Sequence, residues 1–253
     1  MTGLRGLLVT GTDTGVGKTR VSSAIVATLV AQGERVGALK PVASGADRVE
    51  GHLRWDDTER LIAALGRDVP RDRVTPITFE APLAPPVAAR LAGEPLGFDH
   101  VLEATRKAIA WWAGPGQAEL LIVEGVGGLL CPIAEGATLA DLAVALDYPL
   151  LIVARRGLGT INHTILTVEA ARSRGLRVAG VVLNGSEPTA DPLVEETNPI
   201  ELSKWLGEVP LLAELPHGSD LTALLGGRPD LNWKGRAAAP RIVSEDARRS
   251  IPR

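Results

Sequence analysis

Short, uninterrupted apolar runs alternate along the chain with longer stretches in which apolar residues return every three or four positions. The runs at 6–10, 36–39, 120–123, 150–153, 178–183 and 209–213 read as strands. Leu120-Leu121-Ile122-Val123 and Leu150-Leu151-Ile152-Val153 are apolar on both faces, as suits a sheet covered on both sides. The helical spacing predicts helices over 19–32, 55–65, 99–112, 139–146, 160–174 and 199–206. Gly33, Gly66 and Gly175 close three of them, and Asp99 is a candidate N-cap. Residues 82–86 read as loop. Strand and helix in alternation imply an α/β fold, a doubly wound parallel sheet with helices on both faces.

After Leu225 the composition turns to Gly, Arg, Pro and Ala. The expectation is one domain over 1–225, followed by a poorly ordered or peripheral tail over 226–253.

The chain has 253 residues, long enough to bury a large core. A net charge of −3 with mixed signs offers no basic face to nucleic acid or anionic lipid. Aromatic residues make up 3%, too few for a base-stacking platform. Cys131 stands alone, which excludes an intrachain disulfide, and reads as packing. The first residues enter a strand without a charged, apolar leader, and no run is long enough to span a bilayer. A cytoplasmic protein is expected.

Gly11-Thr12-Asp13-Thr14-Gly15-Val16-Gly17-Lys18-Thr19 sits between an expected strand and an expected helix. That is the setting of a phosphate-binding loop, and it makes the fold one of P-loop NTPase type. Glycines let the backbone wrap so that successive N–H groups face phosphate, and the helix behind presents its positive end. Lys18 can reach the β- and γ-phosphates, and the Thr19 hydroxyl can bind Mg²⁺. The usual first glycine would fall at position 12; here Thr12 stands there and the glycine is Gly11.

Ligands in such sheets sit beyond the carboxyl ends of the strands. The residues found there include Lys40, able to place charge on a transferring phosphoryl group, in Lys40-Pro41-Val42-Ala43-Ser44-Gly45. Asp56 and Asp57 open a helix, as N-terminal acids or as a magnesium ligand; spacing does not choose between them. Glu124, followed by Gly125-Val126-Gly127-Gly128, is placed to hold Mg²⁺. Asn184 is either an adenine reader or a turn residue. His163 is given no role, and no Cys/His cluster has zinc spacing.

The segments 11–19, 40–45, 124–128 and Gly159-Thr160-Ile161-Asn162-His163-Thr164, in this order, resemble the dethiobiotin synthetases over residues 8–217. The shifted glycine is that family's form. The resemblance implies a homodimeric, Mg²⁺-dependent enzyme of biotin synthesis. It would use ATP, CO₂ and 7,8-diaminononanoate, and pass through a carbamate and a carbamic–phosphoric anhydride. It implies Lys40 on carbamate and γ-phosphate, Lys18 on the phosphates, and Thr14 and Ser44 on substrate or phosphate. Thr19, Asp57 and Glu124 would hold Mg²⁺. Nucleotide would also meet Gly15, Val16, Gly17, Arg20, Gly125, Val126 and Gly127. Adenine would lie at Asn184, Gly185, Leu215, Pro216 and His217. Residues 159–162 would take the substrate carboxylate from the partner subunit. Gly15 stands where some relatives carry a charged side chain, so any contact from that side chain is missing.

Three rivals share the fold. A chromosome-partitioning or division-site ATPase usually has a lysine early in this loop, where Asp13 stands. An amide-forming enzyme of cobyrinate type usually carries an added glutamine-hydrolysing domain. A nucleotide-binding module without activity would not be expected to keep Lys18, Thr19, Lys40, Asp57 and Glu124 together.

Overall fold

The structure, a computed structural model, describes residues 3–188 and 191–241. The main elements are β1 (Arg5–Gly11), α1 (Lys18–Ala31), β2 (Val36–Leu39), α2 (Asp56–Leu65), α3 (Phe98–Trp112) and β3 (Leu120–Gly128). They continue with α4 (Leu139–Leu146), β4 (Leu150–Arg155), α5 (Thr160–Arg172), β5 (Val178–Asn184), α6 (Pro192–Trp205) and β6 (Leu211–Leu215). The six strands form one sheet in the order β6-β5-β4-β1-β3-β2, with every pairing parallel.

Alternation along β4 shows why the sheet is covered twice. Leu151 and Val153 join the larger apolar cluster, while Ile152 and Ala154 join a smaller one with Val168 of α5 and Leu202 of α6. All four are fully buried. Each such aliphatic side chain contributes roughly 1.5–3 kcal/mol of burial, so neither face could be left open.

Several boundaries differ from expectation. Gly97, not Asp99, occupies the cap of α3, and Asp99 lies in the first turn, where its charge favours the helix dipole. The helix expected at 199–206 begins at Pro192, capped by Asp191 through Leu193 N–H, and Pro199 lies inside it. Pro85 and Pro86, expected in loop, open the helix Pro85–Leu91, where a missing N–H costs nothing. The short strands Val42–Ser44 and Ile77–Phe79, and the hairpin Asp47–Val49/His52–Arg54, carried too little periodicity to be read.

Of the segment expected to be a tail, residues 226–241 are described and 242–253 lie outside the described residues. Leu231, Trp233 and Ala237 are buried in the main core. Ala238 bridges to Gly6, and the Arg5 guanidinium donates to the carbonyls of Lys234 and Ala237. Arg241 grips Asp147, its guanidinium donating to both carboxylate oxygens.

Candidate active site

Strand register assembles the site. Leu39 of β2 pairs with Val123 of β3, so the next residue on each strand, Lys40 and Glu124, arrives at the same edge of the sheet. The Lys40 Nζ lies 2.7 Å from Glu124 Oε1 and 2.6 Å from Asp57 Oδ2. Thr19, in the first turn of α1, places its Oγ1 2.7 Å from both Asp57 Oδ1 and Glu124 Oε1. Asp56 pairs with Arg60 instead of joining this cluster, and both line the rim of the same cleft.

Lys40 is 4% exposed and Glu124 is fully buried. Burial pulls the Lys40 ammonium down, but the neighbouring Glu124 and Asp57 more than offset that, and it is pushed up to about 12. Lys40 is therefore a fixed cation and not a proton acceptor. Burial raises the Asp57 carboxyl, but Lys40 and the Thr19 hydroxyl outweigh it and hold Asp57 below the usual carboxylate range. Burial lowers Lys18, helped by Lys40 and opposed by Glu124.

The donor set suits a hard divalent cation. One hydroxyl proton cannot serve two carboxylates, and the buried Glu124 Oε2 has no hydrogen-bond partner among the described residues. A hydroxyl and two carboxylates offer the oxygen ligands that Mg²⁺ prefers.

Above this cluster lies a cavity of about 600 Å³. Thr14, Gly15, Gly17, Lys18, Thr19, Arg20, Lys40, Ser44, Asp57, Val126 and Gly127 line it, all expected at the site. The Lys18 Nζ folds back onto the Asp13 carbonyl at 3.3 Å. Gly17 is left-handed, with φ 86°, and a Cβ there would come within 2.1 Å of Asn184 Nδ2.

The remaining expected residues gather beside the cavity rather than in it. Asn184 ends β5 and donates from Nδ2 to the Val16 carbonyl at 2.9 Å; its buried Oδ1 has no partner among the described residues. Gly185 N–H donates to the Leu215 carbonyl, and the His217 ring nitrogen Nδ1 is 3.1 Å from the Gly185 carbonyl. Pro216 follows the end of β6, between Leu215 and His217. Gly125 packs its backbone against Leu139, where a Cβ would meet a methyl at 2.3 Å. Residues 159–162 do not line the cavity of their own chain.

Asp56, weighed as a magnesium ligand beside Asp57, lines the cavity too, and so do Arg60, Pro82, Leu83, Ala84 and Cys131, which the sequence did not point to. The proline-rich stretch at 82–86 was the one available signal, and by itself it announces only a turn. Burial pushes the Cys131 thiol up, which leaves it a poor nucleophile.

Among known proteins, a family model described as an AAA domain matches residues 5–224. A ParA family ATPase from Chlorobium tepidum TLS is similar in structure, with a TM-score of 0.51 over 88% of this chain and 90% of that one; at 13% identity this likeness concerns the fold alone. A protein of Anaeromyxobacter sp. (strain Fw109-5), named ATP-dependent dethiobiotin synthetase BioD, is 46% identical over 86% of this chain and 92% of its own length. The Bacillus subtilis (strain 168) protein of the same name is 40% identical over 87% of this chain and 90% of its own. Identity of this order across nearly the whole of both chains means that the chain belongs to the ATP-dependent dethiobiotin synthetase family.

Proposed function

We infer that this chain closes the ureido ring of dethiobiotin from 7,8-diaminononanoate, CO₂ and ATP, releasing ADP and phosphate. The observation that carries the reading is the buried Lys40 ammonium beside the phosphate loop, fixed by two carboxylates at the floor of the cavity.

The chemistry needs positioning and charge neutralisation and no covalent nucleophile. One amine of the substrate adds to CO₂ and loses a proton, giving a carbamate. A carbamate oxygen attacks the γ-phosphorus, the bond to the β–γ bridging oxygen breaks, and ADP leaves. The second amine attacks the carbonyl of the mixed anhydride, and phosphate departs as the ring closes. Lys40 offsets charge on the carbamate and γ-phosphate, Lys18 offsets it on the phosphates, and Thr14 and Ser44 hold substrate or phosphate. Thr19, Asp57 and Glu124 would hold Mg²⁺, which when bound neutralises phosphate charge.

Asn184 and residues 215–217 hold adenine. The unpartnered Asn184 Oδ1 supports this, as an acceptor for an exocyclic amine. The active form is a homodimer in which residues 159–162 of each subunit meet substrate in the other. Leu130, Leu158 and Leu166 support a partner surface near that helix, since all three are exposed large aliphatic residues. The catalytic unit is the domain of residues 1–225, and the setting is cytoplasmic. No helix of the described residues is long and apolar enough to cross a membrane.

The experiment is phosphate release from Mg·ATP and bicarbonate, with and without 7,8-diaminononanoate, with product identified by mass. Diamine-dependent release and a product of dethiobiotin mass are expected. Turnover indifferent to the diamine would sink the reading.

A further inference from the structure

The phosphate loop contains a side chain that works against its task. Asp13 is a carboxylate one residue before Thr14, in a loop that must receive the several negative charges of ATP. Register brings it a counter-ion. Gly11 of β1 pairs with Val153 of β4, and the residues two further along each chain, Asp13 and Arg155, meet beyond the sheet edge. Arg155 Nη2 donates to Asp13 Oδ2 at 2.7 Å. The other oxygen, Oδ1, accepts the Thr14 N–H at 2.7 Å, and the Asp13 carbonyl accepts from Lys18 Nζ at 3.3 Å. A single residue thus touches the arginine, the tip of the loop and its lysine.

This pair is not there for the fold. Arg155 is 39% and Asp13 53% exposed at the side chain, and exposed pairs of this kind add little stability. Neither lines the cavity itself, but Thr14, the residue after Asp13, does, so the pair sits one residue outside the anion site. We propose that Arg155 is a positioning residue for nucleotide binding: it masks the Asp13 charge from the incoming phosphates and holds the carboxylate so that its second oxygen fixes the Thr14 amide. The proposal rests on the phosphates seating on residues 11–19.

Charge masking separates itself from mere bracing by a suppressor. Arg155→Gln exposes the Asp13 charge to the triphosphate. Asp13→Asn removes that charge but keeps an oxygen able to accept from Thr14 N–H. In the full chain, Mg·ATP affinity, KM for ATP, kcat and the unfolding temperature are measured for the wild type, Arg155→Gln, Arg155→Lys and the double variant Arg155→Gln/Asp13→Asn. One unmasked charge at this range is worth on the order of tenfold in binding. Arg155→Gln is therefore expected to weaken ATP binding and raise KM by about that factor, with kcat changed little and the unfolding temperature unmoved. Arg155→Lys keeps most of the affinity, and Asp13→Asn in the Arg155→Gln background restores it. Wild-type affinity in Arg155→Gln, or a double variant as weak as Arg155→Gln, overturns the proposal. Lys18→Ala serves as the control for the site itself: ATP bound equally well without Lys18 would displace the phosphates from this loop, a different result from failure of the Arg155 variants.

Discussion

Removing the Lys40 ammonium would leave Glu124 buried without its counter-ion, so stability and chemistry are entangled at this residue. Lys40→Met is expected to abolish diamine-dependent phosphate release and to destabilise the chain by roughly 3–5 kcal/mol, the cost of stranding a buried charge. Adding Glu124→Gln should return much of the stability and none of the turnover; calorimetry and the phosphate assay on the same samples check both. Recovery of turnover in the double variant would remove Lys40 from the chemistry. At Gly17 the demand is steric. With φ 86° and Asn184 Nδ2 in the place of a Cβ, Gly17→Ala strains the backbone by about 1–2 kcal/mol and pushes Asn184 off the Val16 carbonyl. ATP affinity, read by titration, should fall well beyond the change in stability. The sequence carried the types and order of these residues, since the strands that bear Lys40 and Glu124 are plainly apolar up to the site. Spacing could not carry the choice between Asp56 and Asp57, which in the sequence rests on the family resemblance alone. Both sit in the first turn of one helix, and only the packing of α2 against α1 decides which faces Thr19.

Elements with one strong punctuation mark were legible, and elements without one were not. The glycines after α1, α2 and α5 are left-handed at Gly33, Gly66 and Gly175, which no other residue adopts as cheaply. The start of α6 was misplaced because Pro199 looks like a first-turn proline, and Pro192 occupies that position instead. Composition alone reads the C-terminal segment as peripheral. A few apolar side chains, Leu231 and Trp233 above all, bind it to the core, and average composition does not see them. Its last described contact is electrostatic. Burial raises the Asp147 carboxyl, but the Arg241 hydrogen bonds outweigh it, and the group sits below the usual carboxylate range. A depressed carboxyl stabilises the fold above the unfolded value of about 3.9, and that contribution disappears as pH falls through the lower folded value. Asp147→Asn keeps a residue that tolerates the left-handed backbone here, φ 51°, and removes the charge. It should lower stability near neutrality by about 1 kcal/mol, and the gap to wild type should close below about pH 4 in urea titrations. A gap that persists at low pH would mean that the pair is not what links this segment to acid.

At the scale of the molecule, the sheet order separates neighbours in space from neighbours in sequence. The α/β class was readable because buried strands alternate with helices, but the order β6-β5-β4-β1-β3-β2 is a property of crossovers and was not. That order has a consequence for synthesis. β1 lies between β3 and β4, so the strand that leads into the phosphate loop leaves the ribosome early and finds no sheet partner until the chain has been made past residue 128. During that interval Leu7, Leu8 and Val9, all fully buried later, lack the two strands that flank them. Nascent chains arrested before residue 120 should therefore be cut by protease within their first twenty residues. Chains extended beyond residue 215 should resist, and do so more strongly with Mg·ATP. Equal resistance at both lengths would show that early helices or ribosomal factors shelter β1. The first strand to be made is thus the one of the six that waits longest for a neighbour in the sheet.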